Sequence, residues 1–211
     1  MKSLVVALVV GVLSAFAPSA HALSYLLTEV NEPAMTDGLS YLQVNISDAE
    51  GGAIQFDVKT LTASTTPAGA LVAGGANFGI KTFGFNSSLG TLATGNFALP
   101  SGWSFSGGAT LDGFGLFANT LNAGTGTDTL ETLTFTITGI EGDTPGSYAL
   151  GNAAGFLFAA HVIDIDTGLM SGETPITSAW FATPVPEPGT YALLLAGLAL
   201  LGVAARRRRR A

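Results

Sequence analysis

Leu42, Val44 and Ile46 alternate with Gln43, Asn45 and Ser47, and this period of two returns twice more along the chain. Ile54, Phe56 and Val58 alternate with Gln55, Asp57 and Lys59, and Leu133, Phe135 and Ile137 with Thr132, Thr134, Thr136 and Thr138. A strand turns successive side chains to opposite faces, so each run predicts a half-buried strand, with β-branched Thr suiting its wet side. Further strands are predicted over Tyr25–Val30, Phe78–Phe85, Trp103–Phe105, Phe114–Ala118 and Phe156–Ile165. Turn-forming clusters separate them, among them Glu50-Gly51-Gly52, Gly74-Gly75 and Asp143-Thr144-Pro145-Gly146. About eight strands without an interior helical period predict an all-β ectodomain, an antiparallel β-sandwich with a β-barrel as the alternative.

The two ends break this pattern. At the start, Lys2 precedes an apolar run from Leu4 to Phe16, then Pro18, then Ala20-His21-Ala22. A basic residue, an apolar helix and a small-x-small triplet form a signal peptide, with Ala20 and Ala22 as the cleavage residues and signal peptidase as the partner. The predicted boundaries are therefore a signal helix over 1–22 and an ectodomain over 23–184. At the other end, Tyr191 to Ala205 carries no charge, and Arg206, Arg207, Arg208, Arg209 and Arg210 follow. As a single transmembrane helix, 191–205 rises about 22 Å against a hydrocarbon core of about 30 Å, which local thinning and snorkelling arginines accommodate. Five arginines stay cytoplasmic and stop transfer, so the segment between the two ends lies across the membrane.

Immediately before that span stands Val185-Pro186-Glu187-Pro188-Gly189-Thr190. Two prolines around one residue forbid a helix and favour an extended backbone that a protease threads. A Val-Pro-Glu-Pro-x-Thr motif, a short Leu/Ala/Gly span and a run of Arg closely resemble the PEP-CTERM sorting signal of biofilm-forming Gram-negative bacteria. The resemblance covers 185–211: motif 185–190, span 191–205, basic tail 206–211. Within the sorting motif Val185, Pro186, Glu187, Pro188 and Thr190, it implies Pro186, Glu187 and Pro188 as the residues recognised by an exosortase, a membrane-embedded transpeptidase-like protease that cleaves near them. It further implies a transient inner-membrane intermediate, then release or transfer to the cell surface or extracellular matrix. A sortase signal needs Leu-Pro-x-Thr-Gly, which is absent, and a GPI signal ends in its apolar tail. An uncleaved membrane-anchored envelope protein is the alternative for the same residues. In a looser way FGFN, LPSGWSFSG, LDGFGLFANTL, LETLTFTITG and FLFAAHV resemble a pattern that recurs in ectodomains of PEP-CTERM proteins, which bears on fold and not on activity.

Charge narrows the partners. Between Leu23 and Pro184 two lysines face fourteen carboxylates, a formal charge of −12 that the terminal arginines mask in the whole-chain value of −7. Such a surface repels nucleic acid and anionic lipid, so no nucleic-acid partner is expected. There is no Cys, hence no disulfide, thiolate metal site or Cys nucleophile.

Candidate chemistry is sparse. His161 is the only histidine left once the signal peptide is removed. On a strand through FLFAAHVIDID it shares a face with Ile163 and Ile165, opposite Asp164 and Asp166, a poor arrangement for a Ser-His-Asp triad. Asp166-Thr167-Gly168 is a single aspartic-protease-like triplet without the second copy that chemistry requires. Asp164 and Asp166 also open an Asp-x-Asp-x-Gly calcium-loop pattern to which Glu173 adds a third carboxylate, the one cofactor the sequence offers. Trp103, Trp180, Tyr41 and Tyr148 are candidates for stacking on sugar rings. The expectation is a non-enzymatic exported protein, structural or adhesive in biofilm exopolysaccharide. The alternative from another class is a carbohydrate-active hydrolase using two of the fourteen carboxylates.

Overall fold

The computed structural model describes residues 22–90, 92–185 and 197–198. The signal helix and the membrane helix predicted from the sequence fall almost wholly outside them, and among the described residues no helix is long and apolar enough to cross a membrane. The strands in chain order are β1 (Ala22–Leu27), β2 (Glu29–Val30), β3 (Leu42–Ala49), β4 (Ala53–Thr60), β5 (Gly79–Phe85), β6 (Phe97–Ala98), β7 (Trp103–Leu111), β8 (Gly115–Ala123), β9 (Thr132–Ile137), β10 (Phe156–Ile163), β11 (Met170–Ser171), β12 (Thr174–Pro175) and β13 (Ser178–Pro184). They form a five-stranded sheet in the order β1-β3-β4-β9-β6, a six-stranded sheet in the order β2-β13-β10-β5-β8-β7, and a small β11–β12 ribbon. The pairings within these sheets are antiparallel, and the protein is all-β.

The three alternating runs are the centre of the five-stranded sheet. Val44 lies opposite Val58, which lies opposite Leu133; Ile46 lies opposite Phe56, which lies opposite Phe135. All six of those side chains are buried. One residue along, Asn45, Asp57 and Thr134 line up on the other face, with Thr134 Oγ1 donating to Asp57 Oδ1 at 2.6 Å. A slip of one residue in any pairing would exchange these two sets, which is why the register is fixed by burial.

Phe56 reaches across to the second sheet. Its ring stacks on Phe135 at 4.7 Å and meets Phe83 and Phe85 of β5 at 6.4 and 5.2 Å, and Tyr148 edge-on at 5.6 Å. Phe83 in turn stacks on Phe158 of β10 at 6.0 Å. Aromatic pairs at these separations add to the burial of their area, and they join the two sheets into one core.

Part of the six-stranded sheet is buried on its outer face as well. β7 carries register shifts between Phe105 and Gly107 and between Gly107 and Ala109. Bulges of this kind bend a hairpin. The β7–β8 tip folds over the sheet, placing Leu111, Phe114 and Phe117 on Ala159 and Ala182, with Phe156 and Trp180 at the margin. Asn31 Nδ2 donates to Asp112 Oδ2 at 3.2 Å and Asn152 Nδ2 to the Phe114 carbonyl at 2.8 Å, tying the tip down. Its close seat depends on Gly84, where a Cβ would overlap the Leu111 side chain and come within 3.2 Å of Phe117 Cγ. Double burial explains why FLFAA in β10 shows no alternation: strands covered on both faces read as continuous apolar runs.

The sequence-predicted strands differ from these mainly at their ends. Trp103–Phe105 and Phe114–Ala118 are parts of the longer β7 and β8, and Tyr25–Val30 is divided between the two sheets as β1 and β2. The run predicted to Ile165 stops at Ile163, because Asp164 turns the backbone to φ 56°. β13, β6 and the β11–β12 ribbon were not among the predicted strands.

β1 leaves one end of the domain while β13 returns to it. Thr183 Oγ1 donates to the Leu26 carbonyl at 2.9 Å, and the Thr28 N–H donates to the Ala182 carbonyl at 2.9 Å. Ala22 and Val185 therefore emerge at the same end. Gly84→Val is expected to lower stability by about 1–3 kcal/mol in chemical denaturation through overpacking under the hairpin tip. Gly95→Ala, where a Cβ would meet nothing within 4 Å, is expected to change it by less than about 0.5 kcal/mol.

Candidate functional site

The site with a sequence signature begins where the fold ends. β13 is an interior strand, hydrogen-bonded to β10 on one side and to β2 on the other. Ala179, Phe181 and Ala182 are buried, and Pro184, opposite Phe156, is the last residue of the strand. Small and apolar residues suit a strand enclosed on both faces, which is how SAWFATP comes to lie inside the sheet. The chain is still attached one residue further on. The Val185 N–H donates to the Gly155 carbonyl at 2.8 Å, and the Val185 side chain packs at the margin of the main core. A Cβ on Gly151 would lie 2.6 Å from Val185 Cγ2.

Of the predicted sorting residues only Val185 lies among the described residues; Pro186, Glu187, Pro188 and Thr190 lie outside them, as do Arg206–Arg210. Ala20 of the predicted signal-cleavage triplet lies outside too, whereas Ala22 is the first residue of β1, opposite Ser47. A cut after Ala22 leaves five of the six β1 residues, beginning with Leu23 opposite Ile46.

The calcium-loop carboxylates are placed apart in function. Asp164 Oδ2 accepts the Asn77 N–H at 2.9 Å, and its backbone carbonyl accepts the Gly74 N–H at 2.7 Å, so this residue fastens the 74–77 loop. Asp166 Oδ1 accepts the Gly168 N–H at 3.1 Å, closing its own turn. Thr167 of the Asp-Thr-Gly triplet donates from Oγ1 to the Ile176 carbonyl at 3.0 Å. Glu173 is exposed in the turn of the β11–β12 ribbon. Among the described residues no three His, Cys, Asp or Glu side chains gather where they could hold a metal ion. The Asp-x-Asp-x-Gly pattern is here a hydrogen-bonded turn sequence.

His161 stands on the outer face of the six-stranded sheet, opposite Thr82 on one neighbour and Trp180 on the other. Its ring stacks on the Trp180 ring at 4.6 Å and 12°. The predicted common face with Ile165 is not realised, because the strand ends before Asp164. Burial pushes the His161 pKa below the ordinary imidazole value; the positive charge of Lys81 pushes the same way, and Asp112 opposes it. The aromatic candidates divide three to one. Trp103, Tyr41 and Tyr148 are buried, and each polar tip is engaged: Trp103 Nε1 donates to the Asp128 carbonyl at 2.9 Å, Tyr41 OH to the Thr36 carbonyl at 2.6 Å, and Tyr148 OH to Asp143 Oδ2 at 2.6 Å. Trp180 alone is partly exposed, and one of its faces is taken by His161.

Two features escaped the sequence reading. The attachment of Val185 to Gly155 and Gly151 pairs residues more than 25 positions apart, and no local pattern announces it. At the end opposite the termini, a shallow groove of about 170 Å³ lies between Leu39, Leu71, Val72, Ile165 and Leu169. Its walls come from three separate loops, each unremarkable alone.

The family model for the PEP-CTERM protein-sorting motif matches residues 184–210. No curated protein and no solved structure matches the chain. The C-terminal end is thus a PEP-CTERM protein-sorting signal, joined to an all-β domain without an intervening linker. A signal of this kind implies export toward the cell surface and processing by an exosortase.

Two measurements check the placement of these side chains. The unfolded chain binds a proton at His161 more readily than the folded one, so stability is full above the unfolded pKa of about 6.5 and falls as pH drops toward the lower folded value. His161→Gln is expected to remove that part of the slope in a pH series of denaturation curves. Tyr148→Phe is expected to cost about 1.5 kcal/mol, since it leaves Asp143 without its buried donor.

Proposed function

We propose that this is an exported, non-enzymatic cell-surface or extracellular-matrix protein, a β-sandwich delivered and released through its C-terminal signal, with a structural or adhesive role in hydrated exopolysaccharide. The observation that carries the reading is the junction: the sorting-motif match starts at Pro184, the last residue of an interior strand, so a finished domain is followed at once by its address. The common exit of Ala22 and Val185 supports it. An exit at one end lets a signal helix and a C-terminal span reach one membrane with the least connecting chain.

The outer face of the five-stranded sheet supports contact with polysaccharide. Ser24, Gln43, Asn45, Thr132, Thr134 and Thr136 line this face together with Asp57 and Lys59, whose charges cancel. In a domain of formal charge −12, this is a neutral field of hydroxyls and amides, the chemistry that hydrogen-bonds to sugar hydroxyls without repelling an acidic polymer. On the opposite sheet the hairpin tip covers part of the outer face with apolar side chains.

The sorting half of the proposal is tested in the cells that make the protein. Replacing Pro186 and Pro188 together by Ala is expected to leave the chain in the membrane fraction with Arg206–Arg210 attached. Unchanged release of that double variant would contradict processing at this motif.

A further inference from the structure

Val185 is claimed twice. It is the first residue of the Val-Pro-Glu-Pro sequence, and it is also the last residue held by the fold, through the 2.8 Å hydrogen bond to Gly155 and the contact of its side chain with Gly151 and the core margin. Backbone hydrogen bonding to the domain and threading through a protease use the same N–H, so one conformation cannot do both.

We infer that Val185, Gly155 and Gly151 form a clamp that withholds the sorting motif, and that processing requires the clamp to open. This rests on the exosortase reading above and adds to it the step that limits access. Val185 acts here as a positioning residue, and no bond chemistry is assigned to it. The clamp is one backbone hydrogen bond and one half-buried Val side chain, so the open form is a minor but accessible population, roughly a tenth of the molecules. An enzyme that takes only the open form sees its substrate diluted by that fraction. Before it, β13 is paired to β10 from Ser178 to Pro184 and to β2 at Phe181 and Ala182, so the clamp is the last and weakest of its attachments.

Two variants test the clamp without touching the motif. Gly151→Ala brings a Cβ to 2.6 Å from Val185 Cγ2, so the Val185 side chain must leave its present seat; the backbone at Gly151 has no positive φ to oppose the change. Insertion of Gly-Ser-Gly-Ser-Val between Val185 and Pro186 leaves the clamp intact and supplies a complete Val-Pro-Glu-Pro beyond it. The readout is the rate at which full-length chain in its native membrane loses the basic tail, followed by mass, alongside the melting temperature of the released domain. Both variants are expected to be processed about tenfold faster than the wild type, and the insertion at an unchanged melting temperature, which a merely structural role for Val185 would not produce. Either variant processed at the wild-type rate overturns the clamp. A wild-type chain and both variants that all keep the tail indefinitely would overturn the exosortase reading itself, and the clamp with it.

Discussion

The fold depends on one contact seam, the aromatic side chains that pass between the two sheets around Phe56. Without Cys no disulfide can close the chain, and a β domain built from long-range pairings must offset its loop-closure entropy by burial alone. Phe56 touches aromatic rings from β5, β9 and the turn at Tyr148, so it ties together segments that are up to about 90 residues apart. Truncating a buried Phe of this kind costs about 3–5 kcal/mol, a large share of the stability of a domain this size. Everything else is arranged to let the seam close: the alternation that points Val, Ile and Phe inward, and the small residues that let a hairpin seal the other side of the second sheet.

That second seal links packing to function. Because Gly84, Ala159 and Ala182 admit the β7–β8 tip, the sheet containing β13 is covered on both faces. The strand that ends in the sorting signal is therefore one of the best-held parts of the molecule. A sorting tail attached to a frayed edge would blur the boundary between cargo and signal. Here the motif match begins at Pro184, the last residue of the interior strand. Ala22 and Val185 also leave the domain at one end, with the loop groove at the other.

Legibility in the sequence followed the physics of each element. β3, β4 and β9 were readable because each has one dry and one wet face, and a period of two is then written into the residues. β10 gave only an apolar run, since both of its faces are dry, and β13 was missed for the same reason. The curled hairpin was shortened because Gly107 and Gly108 interrupt alternation where the bulges lie. The sorting motif was visible because it is written in a contiguous run of residues, where no long-range pairing has to be known. Asp164, Asp166 and Glu173 looked like a set only along the sequence; their carboxylates are committed to separate turns or left in solvent. The clamp on Val185 could not be read at all, because its partners are chosen by the closing of the sheet.

The most direct test of the account is the intact mass of the native protein found outside the cell. The expected species begins at Leu23, ends near Pro186-Glu187-Pro188 and lacks Arg206–Arg210. A single species confined to the membrane and still carrying those arginines would contradict it, and would make the tail a permanent anchor.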